Sequence, residues 1–212
     1  MGLKKRTQDD AAPADSEQRQ SSRDLGGLLA ALIEGEPSAR RRAARDLGSQ
    51  PAAAPAMLAR LTEEPDHSVR DTLFSSLTQI GTAGVVSGLL PLLSGEDAEL
   101  RNGAVEALKS LAADSVTATE ALLRDPDPDL RLLAIEIARG HDPHHVSGWM
   151  GRLLPAEDHV NVIAMALDLL AELGTASDLA LLEQLQRRWG DDPFLSFVLD
   201  DTVKQLLSEG AR

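Results

Sequence analysis

The amino-acid sequence predicts an all-α protein, a right-handed α-solenoid of about five antiparallel helix pairs. Three observations support this fold class: a motif recurs every 30 to 32 residues, apolar residues stand four apart within each copy, and Asp or Pro marks the start of most copies. Self-similarity at a fixed period of about 20–50 residues is typical of stacked arrays, because each unit can bury its apolar face only against its neighbours.

The copies are aligned on an anchor, the apolar residue that directly precedes an arginine. Four anchors follow one another at steps of 30, 31 and 30 residues: Ala39, Val69, Leu100 and Leu130. The residues four and eight positions after each anchor are also apolar, and this spacing places them on one face of a helix. A fifth copy aligns with Val162 and a degenerate sixth with Leu195, so the stripe predicts the buried side of successive helices.

Each copy predicts two helices. The first begins at Asp or Pro, since Asp accepts hydrogen bonds from the free N–H groups of a helix start and Pro fits the first turn. These starting residues are Pro37, Asp66, Asp97, Asp127 and Pro128. A second helix follows a short turn. Three copies carry a valine 16 positions after the anchor, at Val85, Val116 and Val146, so the repeat extends over both helices.

The two ends of the array are expected to differ from its middle, because one face of a terminal unit meets water. The segment "DLGGLLAALIEG" before the first copy predicts a lone capping helix. The segment "DDPFLSFVLDDTVKQLLSEG" predicts a closing helix that buries Phe194, Phe197 or both. Residues 1–22 lack apolar periodicity and are expected to form a disordered tail, so that the solenoid comprises residues 23–212.

The composition excludes several classes of site and partner. The chain has no cysteine, which rules out disulfides and thiolate ligands. Its formal net charge is −13, and a body this acidic repels nucleic acid and anionic membranes at long range. No segment approaches the run of roughly 18 apolar residues that a membrane helix needs, and the first residues do not resemble a signal peptide. We therefore expect a cytoplasmic protein that binds neither nucleic acid nor membranes.

Two stretches, "EPDHSVRDTLFSSLTQIGTAGVVSGLLPLL" and "EDAELRNGAVEALKSL", resemble short HEAT-like repeats, a kind first associated with phycobilin lyases. The resemblance covers about residues 24–210. It implies the solenoid fold and, through the lyase subunits, an alternative function in attaching or removing a tetrapyrrole. The sequence departs from the pattern in its period, which is shorter than the usual 40–47 or so residues, and at Ile163, which stands where an arginine is expected.

One arginine follows the anchor in each of the first four copies. These four ladder arginines are Arg40, Arg70, Arg101 and Arg131. Each stands near a helix start and is interpreted as a structural residue that pairs with the acidic cap of an adjacent unit, since a carboxylate fits the guanidinium fork. A row that binds an anion is the alternative interpretation.

In this family the second helices line the concave face of the array, and the resemblance implies a partner-binding surface there. Few of these side chains are charged, and the small ones leave a shallow groove for a partner helix or loop. Trp149 and Arg152 are expected hot-spot residues by type, although Trp149 also borders the buried stripe and fits a core position equally well. The predicted partner-binding residues are Ser87, Gly88, Pro91, Thr117, Glu120, Ala121, Ser147, Gly148, Trp149, Gly151 and Arg152.

The residues predict no catalytic, cofactor-binding or metal site. His141, His144 and His145 stand close to Asp142, and imidazoles with a carboxylate can bind zinc. Their spacing does not match the HExxH zinc motif, so a polar turn between helices is the preferred interpretation. The Asp and Glu residues fall at helix starts and outer positions, which indicates solubility and not acid–base pairs.

The sequence therefore predicts a non-enzymatic scaffold, adaptor or regulator that binds a protein partner on its concave face and uses no cofactor. An extended array offers a large surface for its mass, which favours recognition over enclosed chemistry. A bilin lyase-like or other enzyme-accessory subunit that acts on a tetrapyrrole-protein is the alternative, because fold does not fix function. A HEAT-like DNA glycosylase is a more remote alternative, since that class needs a basic, aromatic-lined cleft.

Overall fold

The computed structural model describes residues 24–209, and within this range the chain forms helices and no β-strand. The all-α prediction is confirmed. The predicted tail, residues 1–22, lies outside the described residues. The α-helices are α1 (Leu25–Glu34), α2 (Pro37–Leu47), α3 (Ala54–Glu63), α4 (His67–Ile80), α5 (Ala83–Leu89), α6 (Ala98–Ser110), α7 (Ala112–Leu122), α8 (Pro128–Ala138), α9 (Pro143–Leu153), α10 (Val160–Leu173), α11 (Leu179–Trp189) and α12 (Pro193–Glu209).

The described residues form two compact units, residues 24–80 and residues 81–209. In the first unit α1 packs on α2, and α4 packs on both α2 and α3. In the second unit α6, α8, α10 and α12 pack in series, while α7 packs on α8, α9 on α10 and α11 on α12. The first helices of the repeats therefore form a continuous layer within the second unit, and each second helix lies against it, as the repeat predicts.

The predicted stripe forms the core of the first helices. The anchors Val69 and Leu100 are buried, whereas Ala39 and Leu130 are half-buried. The positions four and eight residues later are buried in the first four copies: Ala43, Leu47, Leu73, Leu77, Ala104, Leu108, Ala134 and Ala138. Leu and Ala at these positions let the helices pack closely, and the buried apolar area supplies the main stabilisation of the array.

Aspartates cap several helices. Asp97 Oδ1 accepts hydrogen bonds from the backbone N–H groups of Glu99 and Leu100, at 2.9 and 3.2 Å. Asp127 accepts the N–H of Asp129 at 2.9 Å in the same way. Because the first N–H groups of a helix have no partner within the helix, each cap fixes where the helix begins.

Proline defines the end of one second helix. The sequence predicts a single helix through "TAGVVSGLLPLL", but α5 ends at Leu89 and residues Leu90–Ser94 form a 3₁₀ helix. Pro91 has no N–H to donate to the α-helical ladder, so the ladder is interrupted at this residue.

The closing helix α12 corrects one prediction. Phe194 and Phe197 are exposed, at 52% and 71% of their surface, and do not close the core. Leu195, Leu199 and Leu206 are buried instead. Because successive residues lie about 100° apart around a helix, Phe194 lies about 100° and Phe197 about 160° from the direction of the buried Leu195.

Candidate protein-interaction surface

The second helices α7 and α9 border a groove of about 610 Å³ in the second unit. Five of the predicted partner-binding residues line it: Glu120, Ser147, Gly148, Trp149 and Arg152. The remaining lining residues are Val116, His144, His145 and Ser177. We call this surface the α7–α9 groove. Residues that lie 32 positions apart in sequence meet across it, since Arg152 Nη2 on α9 lies 3.0 Å from Glu120 Oε1 on α7.

The other predicted partner-binding residues lie beside the groove or away from it. Thr117 and Ala121 are exposed on α7, and Gly151 is exposed on α9. Ser87, Gly88 and Pro91 belong to α5 and the 3₁₀ helix that follows it, and none of the three lines the groove.

The two glycines of α9 leave room on its outer face. A Cβ at Gly151 would meet no atom within 4 Å, and a Cβ at Gly148 would meet only the Nη1 of Arg152, at 3.7 Å. Neither glycine is therefore required by packing within the described residues. Their effect is to leave the helix backbone open to close approach from outside.

Trp149 is a core residue that also borders the groove. Its side chain is 3% exposed, and its ring lies between two imidazoles. The ring of His141 meets it edge-on at 4.9 Å, and the ring of His145 stacks on it at 5.5 Å with an interplanar angle of 30°. Trp149 is therefore buried in the core, and the small part of its side chain that remains accessible lines the groove.

His141 is buried behind Trp149. Its Nδ1 lies 3.2 Å from the carbonyl of Ile137, and its Nε2 lies 3.3 Å from Ser115 Oγ. Burial lowers the pKa of His141 below its ordinary value, because the apolar surroundings disfavour the imidazolium. A neutral, hydrogen-bonded core histidine accounts for this residue. Among the described residues, no group of three or more His, Cys, Asp or Glu is arranged to hold a metal ion.

A second cavity, of about 620 Å³, adjoins the groove at the C-terminal ends of α7 and α9. It shares Glu120, Trp149 and Arg152 with the groove. Its other lining residues are Leu123, Arg124, Asp125, Arg131, Leu153, Ala156, Glu157, Asp158 and His159. Most of these follow the ends of the second helices, where the repeat pattern carries no periodic signal. Of the nine, only Arg131 is predicted from the sequence, as a ladder arginine.

The ladder arginines share one contact. Each donates to the backbone carbonyl five or six positions before it, in the loop that leads into its own helix. The bonds run from Arg40 Nη1 to Gly35 O, from Arg70 Nε to Glu64 O, from Arg101 Nη1 to Gly95 O and from Arg131 Nη1 to Asp125 O. The contact ties the end of one repeat to the start of the next.

Two ladder arginines also bind a glutamate in the loop that joins the second helix of their repeat to the first helix of the next repeat. Arg131 donates from Nε and Nη2 to the two oxygens of Glu157, at 2.8 and 2.9 Å. The glutamate stands two positions before the N-cap residue His159 and accepts its N–H at 2.9 Å. Burial by itself would raise the pKa of Glu157, but the bonds from Arg131 and the backbone N–H groups outweigh it and hold that pKa below its ordinary value.

The corresponding pair in the first unit is Arg40 and Glu64. Glu64 is fully buried and also accepts the Nε of Arg60 at 2.8 Å. Burial opposes ionisation, yet the two guanidinium groups and the N–H of Asp66 lower the pKa of Glu64 to about 2. The carboxylates that bind Arg40 and Arg131 thus belong to glutamates two positions before the helix caps and not to the cap residues themselves. Asp66 itself binds the N–H of Val69, at 3.1 Å.

Two further arginines converge on one carboxylate at the surface. Arg124 Nη2 and Arg152 Nη2 both donate to Glu120 Oε1, at 2.6 and 3.0 Å. The hydrogen bond from Arg124, supported by the charge of Arg152, lowers the pKa of Glu120. The guanidinium-bearing side chains are 60% and 54% exposed, so they remain accessible from solvent.

Comparison with known proteins bears on the fold. Residues 25–109 match the family model of HEAT repeats, which confirms the resemblance inferred from the repeat motif. No curated protein shows significant sequence similarity to the chain. Within the described residues, no helix is both long and apolar enough to cross a membrane.

Several solved structures are similar to the chain. An archaeal HEAT-like repeats protein from Thermococcus onnurineus NA1 is 15% identical, with 92% of this chain and 91% of that chain covered and a TM-score of 0.48. The complex of CpcE and CpcF of phycocyanin lyase from Nostoc sp. PCC7120 contains a chain that is 20% identical, with 90% and 85% covered and a TM-score of 0.38. An engineered protein is 20% identical, with 87% and 99% covered and a TM-score of 0.44.

The helix pairs and the family match together establish a HEAT-like repeat fold of the α-solenoid class. Such folds are typical of protein-interaction scaffolds and are generally non-catalytic.

Proposed function

We propose that this chain is a non-enzymatic adaptor or regulator that binds a protein partner on the α7–α9 groove. One observation carries the proposal: the groove combines the open backbone of Gly148 with the exposed side chain of Arg152 and the border residue Trp149, and the open backbone of Gly151 lies beside it. Trp and Arg are enriched among the residues that dominate binding energy at protein interfaces. We further propose that the protein acts in the cytoplasm.

The elements that border the groove suit a partner segment that lies along a helix. Its volume of about 610 Å³ is bordered by two helices and by Ser177, which precedes α11. Ser147 donates to Asp178 Oδ2 at 2.8 Å, which ties α9 to the segment that follows α10 and fixes that border. A partner helix or loop that lies along α9 would contact both glycines and cover the edge of Trp149.

A charge and bulk substitution in the groove tests the proposal. The variant Gly148→Arg with Gly151→Glu fills the open face of α9 while keeping its net charge, and neither side chain meets a packed atom at its Cβ. Binding partners recovered by affinity capture with the parent chain and identified by mass spectrometry should be lost with this variant. The variant Gly26→Arg, on the exposed surface of α1, is the control and should retain them.

The capture experiment, together with a spectral assay, distinguishes the proposal from the rival function. Equal recovery of every partner by the parent and by the groove variant would contradict the proposed site. A change in the visible spectrum on mixing the purified chain with a linear tetrapyrrole, lost in the groove variant, would instead favour a lyase-like accessory role.

A further inference from the structure

We infer that the segment bound at the α7–α9 groove is an acidic peptide whose carboxylate is held by Arg124 and Arg152 and whose neighbouring apolar side chain enters the adjoining cavity. The inference rests on the proposed function and specifies the chemistry of its partner. It follows from the charge of the second unit, from the exposure of the two arginines and from the apolar residues beside them.

The arginine pair contrasts with the charge of the unit that holds it. Residues 81–212 contain 22 acidic and ten basic side chains, a net charge of −12. Elsewhere in this unit carboxylates surround the cations: Arg139 binds Glu136, Asp168 and Glu172. At Glu120 the ratio is reversed, because two exposed guanidinium groups share one oxygen of a single carboxylate.

The first unit contains a matched arrangement with a structural role. Arg40 and Arg60 also converge on one carboxylate, Glu64, but there the carboxylate is buried and the arginine side chains are only 11% and 17% exposed. Both oxygens of Glu64 are used. Arg124 and Arg152 are more than half exposed and meet at a single oxygen of Glu120. The buried arrangement is complete, whereas the exposed one can accept a second anion.

The geometry suits a carboxylate. The two Nη2 atoms lie at most 5.6 Å apart, which is the sum of their distances of 2.6 and 3.0 Å to the shared oxygen. Each guanidinium has five N–H donors in a planar fork that matches a carboxylate. A peptide carboxylate could therefore bridge both arginines beside Glu120, with at least two charge-assisted hydrogen bonds.

The cavity next to the arginines accepts an apolar side chain. Leu123, Leu153 and the edge of Trp149 contribute to its wall. Three other acidic residues line the cavity and have partners of their own. Glu157 binds Arg131, Asp158 binds Arg188, and Asp125 accepts the backbone N–H of Asp127. The site therefore places two exposed guanidinium groups, with N–H donors that Glu120 does not use, beside apolar surface, which fits Asp or Glu next to Leu, Ile or an aromatic residue.

A peptide selection tests this inference with the full chain. A random peptide library displayed on phage is selected against the immobilised protein, and the affinities of synthetic copies of the enriched peptides are measured by fluorescence anisotropy. We expect enrichment of Asp or Glu beside a large apolar residue. Arg124→Gln and Arg152→Gln should each weaken binding at least about tenfold, because each removes charge-assisted hydrogen bonds to the peptide carboxylate. Arg187→Gln, on the exposed surface of α11, is the charge-matched control and should have no effect.

Glu120→Gln gives a readout that a purely structural role of the arginines would not produce. It removes the internal competitor, so it should tighten binding of the acidic peptides, whereas Arg124→Gln and Arg152→Gln weaken it. Failure to enrich acidic peptides, or affinities unchanged by Arg124→Gln and Arg152→Gln, would overturn the inference. If the enriched peptides are not acidic but Gly148→Arg weakens their binding, the inference fails and the proposed function stands. Peptides unaffected by every groove variant would overturn both.

Discussion

Arg131 and Glu157 form a two-point ion pair that joins the start of α8 to the loop before α10, with Nε–Oε2 and Nη2–Oε1 distances of 2.8 and 2.9 Å. The side chains are 15% and 5% exposed. A pair this well shielded is only weakly screened by solvent. It is therefore expected to couple the two repeats that it joins.

A double-mutant cycle measures this coupling. We expect Arg131→Gln and Glu157→Gln each to lower the free energy of unfolding, because each leaves a nearly buried charge without its partner. The double variant should lose less than the sum of the two, with an interaction energy of about 2 kcal/mol. Urea denaturation followed by circular dichroism gives all four values. Strictly additive losses would show that the pair contributes no coupling.

The pKa of Glu64 predicts a loss of stability in acid. An ordinary Glu titrates near 4.5, whereas Glu64 in the folded chain has a pKa of about 2. Since the folded pKa is lowered, its contribution is complete above pH 4.5 and is lost as the pH falls towards 2. The difference corresponds to about 3 kcal/mol. Denaturation at a series of pH values should show this slope in the parent and a flatter one in Glu64→Gln.

Two glycines should respond to alanine in opposite ways. Gly151→Ala meets open space and should raise the free energy of unfolding by about 0.5–1 kcal/mol, because alanine loses less backbone entropy in a helix. Gly140→Ala places its Cβ too close to the carbonyl oxygen of Lys109 and should cost about 1–3 kcal/mol. Thermal unfolding of the two variants provides the comparison, and a destabilised Gly151→Ala would mean that its surface is packed.

The closing helix α12 offers a similar pair. Phe197→Ser should change the free energy of unfolding by no more than about 0.5 kcal/mol, because the ring is 71% exposed. Leu195→Ala, two positions earlier, removes a fully buried side chain and should cost about 2–5 kcal/mol. A large loss in Phe197→Ser would restore the sequence-based prediction that this ring belongs to the core.

The sequence predicted the repeat because helical periodicity places Leu73 and Leu77 on one face whatever the neighbouring helices do. It failed at Phe194 because apolar character does not identify the buried side of an amphipathic terminal helix. The groove residues Gly148 and Arg152 followed from the second-helix pattern. The adjoining cavity could not be predicted, since His159 and Leu123 are brought together by the way the helix ends meet and not by any spacing along the chain.

The contact between each ladder arginine and the carbonyl of its own entry loop has a consequence for how such arrays change in length. Arg101 and Arg131 both bind the carbonyl six positions before them, at Gly95 and Asp125. Joining Leu100 directly to Arg131 would remove thirty residues and still place an arginine six positions after Gly95. Because the same spacing recurs in these copies, recombination can delete or duplicate a whole copy and the same bond can form at the new junction.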